Sequence, residues 1–160
     1  RVGRIDLAAG QGDLTRMMAQ TRGALGQHQA AVVVVKGGHL GGEMASNALV
    51  APDGAVHVAE VARVEIGGVR IAMVHETGPA AGRERRMAAA FPDADVLVFG
   101  HSHIPWDTVA GPETANPGLR LLNPGSCTDR RRQPVCTLMR AVVRDGRLED
   151  VELVPVDRTP

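Results

Sequence analysis

Three histidines stand where apolar segments of the chain stop. His75 follows one apolar run, and His101 and His103 follow another within the segment Gly100-His-Ser-His103. Loops leaving the ends of buried strands are where layered α/β folds assemble sites, because the sheet fixes the positions of the side chains that the loops expose. Neutral imidazole offers a nitrogen lone pair to Zn, Mn, Fe or Co. The pattern therefore predicts a metal site built from His75, His101 and His103.

Each of these residues also has an ordinary interpretation. His75 taken alone is more typical of a hydrogen-bonded loop histidine, and a Gly-His-Ser-His string can arise by chance in a chain with 19 glycines and 6 histidines. Metal binding is favoured because the string follows a strand and a second strand-end histidine lies upstream. Glu76 and Asp107 lie nearby and are candidates for ligands or for groups that orient ligands, although acidic loop residues are commonly just solvated.

The segments that must position these histidines alternate between helical and extended patterns. Apolar periodicity and turn residues predict a helix, a buried strand and two hairpins in the first half, then a second helix, a strand, a loop and a strand-rich end. In chain order these are helix 12–25, strand 30–35, hairpins 48–51 with 55–58 and 62–66 with 69–74, helix 82–91 with an exposed Arg-rich side, strand 95–99, loop 111–118, and strands 119–122, 135–143 and 147–156. We predict an α/β (α+β) fold, a layered β-sandwich with flanking helices.

Composition limits the possible functions of the chain. Its 160 residues suit a single domain over 1–160, and equal numbers of basic and acidic residues, 18 each, leave no net field to attract nucleic acid or an anionic membrane. Aromatic residues are 2%, which argues against base-stacking platforms for single-stranded nucleic acid. The longest apolar run, 30–35, is far shorter than the roughly 20 residues that cross a bilayer, and no signal segment opens the chain. We therefore expect no nucleic-acid or membrane partner and a cytoplasmic location.

Residues 61–157 resemble the calcineurin-like metallophosphoesterase family, most closely its small single-domain phosphodiesterase branch. The resemblance is carried by Gly68-Val-Arg-Ile-Ala-Met-Val-His75, Phe99-Gly-His-Ser-His-Ile-Pro105, Leu122-Asn-Pro-Gly-Ser126 and residues 130–134. It implies hydrolysis of a small phosphodiester or phosphomonoester by metal-activated water, with two divalent ions bound. Mn is the first candidate, and Ni, Fe, Zn and Co are others. By resemblance, His75 and His101 would bind one ion and His103 the other, while the Asn-Pro-Gly-Ser turn would be structural.

Residues 1–60 match the same family less completely. The family's Asp-x-His motif is absent there, Gly12-Asp13 resembles its second motif, and Gly37-Gly-His39 stands near the position of its third with Gly38 in place of Asn. The resemblance makes Asp13 and His39 further candidate metal ligands, with a helix cap and a polar loop residue as the alternatives. We therefore describe 1–60 as a divergent or foreign N-terminal segment beside the family-like portion 61–157, and the family's site as incomplete at its N-terminal end.

A second resemblance covers part of that N-terminal segment. Residues 31–40 and 46–54 look like the middle of a hydroxymethylpyrimidine kinase of the ribokinase-like family, whose Gly-Thr-Gly-Cys segment does not follow here. Three functional hypotheses are therefore open: an active metal-dependent phosphoesterase, a catalytically inactive partial domain that serves as a binding module or fragment, and a kinase remnant. The sequence alone identifies neither the substrate nor a catalytic acid or base.

Overall fold

The structure, a computed structural model, describes residues 3–9 and 59–156 in full and the backbone of strand residues 30–36, 47–50 and 56–58. This part of the chain contains eleven strands and one helix. In chain order they are β1 Gly3–Ala9, β2 Ala30–Lys36, β3 Asn47–Val50, β4 Val56–Ala59, β5 Ala62–Ile66, β6 Val69–Met73, α1 Arg83–Ala90, β7 Val96–Val98, β8 Trp106–Val109, β9 Arg120–Asn123, β10 Cys136–Arg144 and β11 Arg147–Val156. The predicted helix 12–25, Asp13 and His39 lie outside the described residues.

The first sheet has six strands in the order β11-β10-β1-β2-β3-β4. Strand β1 runs parallel to β2 and antiparallel to β10, so residues from both ends of the chain share this sheet. The β3–β4 pair confirms the predicted hairpin of 48–51 with 55–58. The predicted strands 135–143 and 147–156 are present as β10 and β11 and pair with each other. Strand β1 was not predicted, because only Ile5 and Leu7 alternate with polar residues before the weak strand formers Ala8 and Ala9.

The second sheet has five strands in the order β5-β6-β7-β9-β8. Strands β6, β7 and β9 are mutually parallel, and the antiparallel strands β5 and β8 close the two edges. The β5–β6 hairpin turns at Gly67 and Gly68, both with positive φ, as the sequence predicted. Strand β8 was not predicted, because its four residues alternate between half-buried and exposed and lack a continuous apolar run.

The two sheets share one apolar core. Alternate residues of β1 and β10 on one side, and of β6, β7 and β9 on the other, are buried in a single cluster that includes Ile5, Leu7, Ile71, Val98 and Met139. A second cluster lies between the second sheet and α1, and a third covers the opposite face of the first sheet. The predicted layered α+β sandwich is therefore confirmed.

Helix α1 differs from the sequence prediction in one respect. Its Arg-rich side was predicted to be exposed, yet Arg83 is only 7% exposed while Arg85 is exposed. The guanidinium of Arg83 lies against the rings of Phe99 and Trp106, which accounts for its burial. At eight residues α1 is too short to cross a bilayer, and no helix among the described residues is long and apolar enough to do so.

Candidate metal centre

The histidine loops meet because they leave the same edge of the second sheet. His75 follows β6 and His101 follows β7, and these neighbouring strands are parallel, so both chains emerge at their carboxyl ends. The backbone N–H of Gly100 donates to the His75 carbonyl oxygen at 3.2 Å, which joins the two loops directly. Sheet topology therefore brings together two segments that are 26 residues apart in sequence.

The imidazoles of His75 and His101 are in contact. Nε2 of His75 lies 2.9 Å from Nδ1 of His101, and the rings meet edge to face with centroids 5.0 Å apart. His75 is half-buried, whereas 52% of the His101 side chain is exposed. One ring therefore donates an N–H···N hydrogen bond to the other, at a surface that solvent reaches.

His103 is held in one tautomer by the loop that follows β9. Its Nδ1 donates to the carbonyl oxygen of Asp129 at 2.6 Å, because a carbonyl can only accept. The lone pair of the ring is then carried by Nε2. A hydrogen bond from the second nitrogen to a backbone carbonyl is how metal-binding histidines are usually oriented. His103 is 4% exposed, so the ring is both oriented and buried.

The turn that carries His101 and His103 has unusual backbone conformations. Both histidines have positive φ, 66° and 60°. Residues with a Cβ rarely adopt this backbone conformation, and each one that does raises the free energy of the folded state by on the order of 1–3 kcal/mol. Contacts with neighbouring residues must therefore hold the turn in place. Conformations of this kind are concentrated at functional sites.

Asn123, the last residue of β9, supplies much of that support. Its side chain is fully buried, and Nδ2 donates to the carbonyl oxygen of Gly100 at 3.3 Å and to Oγ of Ser102 at 3.1 Å. Its Oδ1 accepts from the N–H of Gly125 at 3.0 Å. The Asn-Pro-Gly-Ser turn therefore holds the histidine turn in place through hydrogen bonds, which agrees with the structural role predicted for it.

The nearby carboxylates have different partners. Oε2 of Glu76 lies 3.7 Å from Nε2 of His101, an ion-pair separation that is longer than a hydrogen bond. Asp107 instead accepts from Nε and Nη2 of Arg120 at 2.8 and 2.7 Å, so the structure places it in an ion pair on β8. Asp6, a buried carboxylate that the sequence did not single out, accepts from Nε of Arg140 on the neighbouring strand.

The described residues do not form a complete metal-binding cluster. Among residues 3–9 and 59–156, no group of three or more His, Cys, Asp or Glu side chains is close enough to hold an ion. His75 and His101 converge, whereas His103 is placed by Asp129 in the adjoining loop. Asp13 and His39, which lie outside the described residues, remain predicted ligands.

The distance between the His75 and His101 nitrogens, 2.9 Å, is that of an N–H···N hydrogen bond. Two nitrogens that each lie about 2.1 Å from one ion are about 3.0 Å apart at a right angle and about 3.4 Å apart at a tetrahedral angle. Once the shared proton is lost, the pair is close to the spacing that an ion with octahedral geometry needs. Imidazole donors suit Zn, Fe, Ni and Cu, and carboxylates suit Mn, so the donors alone do not select one metal.

The candidate site lies within a region that is similar to a known protein family. Residues 2–146 match the calcineurin-like phosphoesterase superfamily domain. The chain belongs to this superfamily. The match to the calcineurin-like phosphoesterases extends beyond the resemblance found at 61–157 and includes most of the N-terminal segment. The boundary drawn at residue 60 remains a prediction.

Solved structures give the same fold. A conserved uncharacterized protein from Streptococcus pneumoniae TIGR4, described as a predicted phosphoesterase, superposes with a TM-score of 0.65 at 16% identity, covering 97% of this chain and 90% of that one. Vacuolar Protein Sorting 29 from Cryptosporidium parvum gives 0.60 at 18% identity, covering 96% and 97%. Vps29 from Entamoeba histolytica, solved in complex with Zn²⁺, gives 0.53 at 17% identity, covering 96% and 99%. No curated protein matches the chain significantly.

Proposed function

We propose that this calcineurin-like phosphoesterase hydrolyses a small phosphate ester in a metal-dependent reaction. The observation that carries the proposal is the convergence of His75 Nε2 and His101 Nδ1 at the carboxyl edge of parallel strands. His103, fixed through Nδ1, is the third proposed ligand, and Asp13 and His39 are the candidates for completing the set. Two divalent ions are proposed, with Mn the first to test and Ni, Fe, Zn or Co as alternatives.

The chain's own residues have separable roles in this proposal. His75, His101 and His103 would hold the ions, and Glu76 would orient the His101 ring from the side of Nε2. Bound divalent ions would lower the pKa of the attacking water and offset negative charge on the phosphoryl oxygens. Because the side chains of His101 and Glu76 are 52% and 59% exposed, an ester can reach the site from solvent.

Metal counting combined with hydrolysis tests the proposal. The full chain is stripped with a chelator, reloaded with Mn²⁺, and assayed with bis(p-nitrophenyl) phosphate and p-nitrophenyl phosphate, with bound metal measured by mass spectrometry. We expect metal-dependent hydrolysis of at least one ester, and His101→Ala should lose both turnover and bound metal. Ile104→Ala, an exposed residue of the same turn, is the matched control and should retain both.

A second candidate is an inactive domain that serves as a binding module. It is favoured by the sequence of β1, Gly3–Ala9, which contains no histidine and whose one carboxylate, Asp6, is paired with Arg140. This candidate predicts one bound equivalent of metal or none, and no hydrolysis of either ester by folded protein. Two bound equivalents with turnover would exclude it.

A further inference from the structure

Arg83 is buried between two aromatic rings beside the histidine turn. Its Cζ lies 4.8 Å from the centroid of the Phe99 ring and 4.5 Å from that of Trp106. A planar guanidinium stacks on aromatic faces in a way that an ammonium cannot. One side chain of α1 therefore contacts an aromatic residue on each side of the His101–His103 turn.

This placement of Arg83 is costly for the fold. The residue is 7% exposed, and burial lowers the pKa of its guanidinium. Its Nη2 donates only one long hydrogen bond, to the carbonyl oxygen of Gly78 at 3.4 Å, and its Nε has no hydrogen-bond partner. Within the described residues Arg83 forms no ion pair with a carboxylate. It also lies at the first residue of α1, where the positive end of the helix dipole disfavours a cation. A side chain kept at such a cost is expected to serve something other than stability.

The two rings lie at opposite ends of the strained segment. Phe99 precedes His101 by two residues, and Trp106 follows His103 by three. Trp106 is also tied to α1 through Thr108, whose Oγ1 accepts from the indole N–H at 2.9 Å and donates to Oε1 of Glu84 at 2.9 Å. Because Arg83 contacts Phe99 and Trp106, it limits the distance between the two ends of the segment. This constraint opposes relaxation of the positive φ angles between them.

We propose that Arg83 is a positioning residue for the metal centre, acting through Phe99 and Trp106 to fix the placement of His101 and His103. The expected effect of Arg83 on metal affinity rests on the proposed function, whereas its effect on the placement of the two rings does not. Residues that orient ligands typically change metal affinity by 10–100-fold when they are substituted, which sets the expected effect.

The first experiment needs no metal. Trp106 is the only tryptophan of the chain, so its emission and its quenching by acrylamide report on the Arg83 contact directly. In chelator-treated full-length protein, Arg83→Met should raise quenching and shift the side-chain NMR signals of His101 and His103 in ¹⁵N-histidine-labelled samples. Arg85→Met, an exposed arginine of the same helix, is the matched control and should change neither. Unshifted histidine signals in Arg83→Met would overturn the proposal.

The second experiment measures metal affinity by calorimetric titration with Mn²⁺. We expect Arg83→Met to bind about 10–100-fold more weakly than the native chain and Arg85→Met to bind equally well. Wild-type affinity in Arg83→Met would contradict a positioning role. If the native chain binds none of Mn²⁺, Ni²⁺, Fe²⁺, Zn²⁺ and Co²⁺, the proposed function fails, while the histidine signals still decide whether Arg83 places the two histidines.

A milder substitution guards against loss of folding. Arg83→Lys keeps the aliphatic stem and the charge but loses the flat guanidinium. Circular dichroism and thermal unfolding first establish that each variant is folded. If Arg83→Met does not fold, Arg83→Lys should still shift the two histidine signals and weaken Mn²⁺ binding several-fold, and native values for both would overturn the proposal.

Discussion

Nε2 of His75 lies 2.9 Å from Nδ1 of His101, although 26 residues separate the two in the sequence. The contact exists because β6 and β7 are parallel neighbours whose loops leave the same edge of the sheet. If both rings bind one ion, their contributions to metal binding cannot be independent.

The single variants His75→Ala and His101→Ala should each lose metal affinity strongly, and the double variant should lose little more than either alone. Groups that act on one ion are not additive, whereas independent sites are. Titration of all three variants with Mn²⁺ by calorimetry measures the coupling. Additive losses would indicate that the two histidines do not share an ion.

Gly125→Ala should destabilise the protein more than Gly118→Ala. Both glycines have positive φ, 79° and 88°, so both substitutions strain the backbone. A Cβ at Gly125 would overlap Oγ1 of Thr137, whereas one at Gly118 meets nothing within 4 Å. The clash should add about 1–3 kcal/mol. Denaturant unfolding of the two variants measures this difference, and equal losses of stability would contradict the close approach at Gly125.

The stability of Asp6→Asn relative to the native protein should increase as pH rises above about 4. Burial raises the pKa of the Asp6 carboxyl above its ordinary value, and the attraction of Arg140 offsets this only in part. The folded state therefore holds this proton to higher pH than the unfolded chain, and wild-type stability falls as pH rises through the folded pKa. Melting temperatures from pH 4 to 7 test the trend, and a variant that grows relatively weaker toward pH 7 would refute it.

Asp95→Asn should show the opposite pH trend. Hydrogen bonds from the Arg70 side chain, the largest cause, and from its backbone N–H hold the pKa of the Asp95 carboxyl below its usual range. The stability that this carboxylate contributes is present above the unfolded pKa of about 3.9 and is lost as pH falls through the folded pKa. The variant should therefore be less stable at pH 7 and approach the native protein in acid. A constant difference at every pH would indicate that charge is not the cause.

The sequence by itself predicted the candidate metal ligands and most of the elements that carry them. Apolar runs and glycine turns are local signals, so they predicted the β5–β6 hairpin, the strand before His101 and the loop at 111–118. The alternation in β1 and β8 was too short to be recognised, because strands of this kind are stabilised by their neighbours rather than by their own composition.

Only the tertiary structure decided which of those residues meet. The His75–His101 contact depends on the order of strands in a sheet. The burial of Arg83 depends on two rings, Phe99 directly after β7 and Trp106 at the start of β8. Neither relationship has a local signature, because distances between sequence-remote side chains are set by strand pairing and packing across the whole domain. Periodicity marks which residues face the core, and the fold determines which of them become partners.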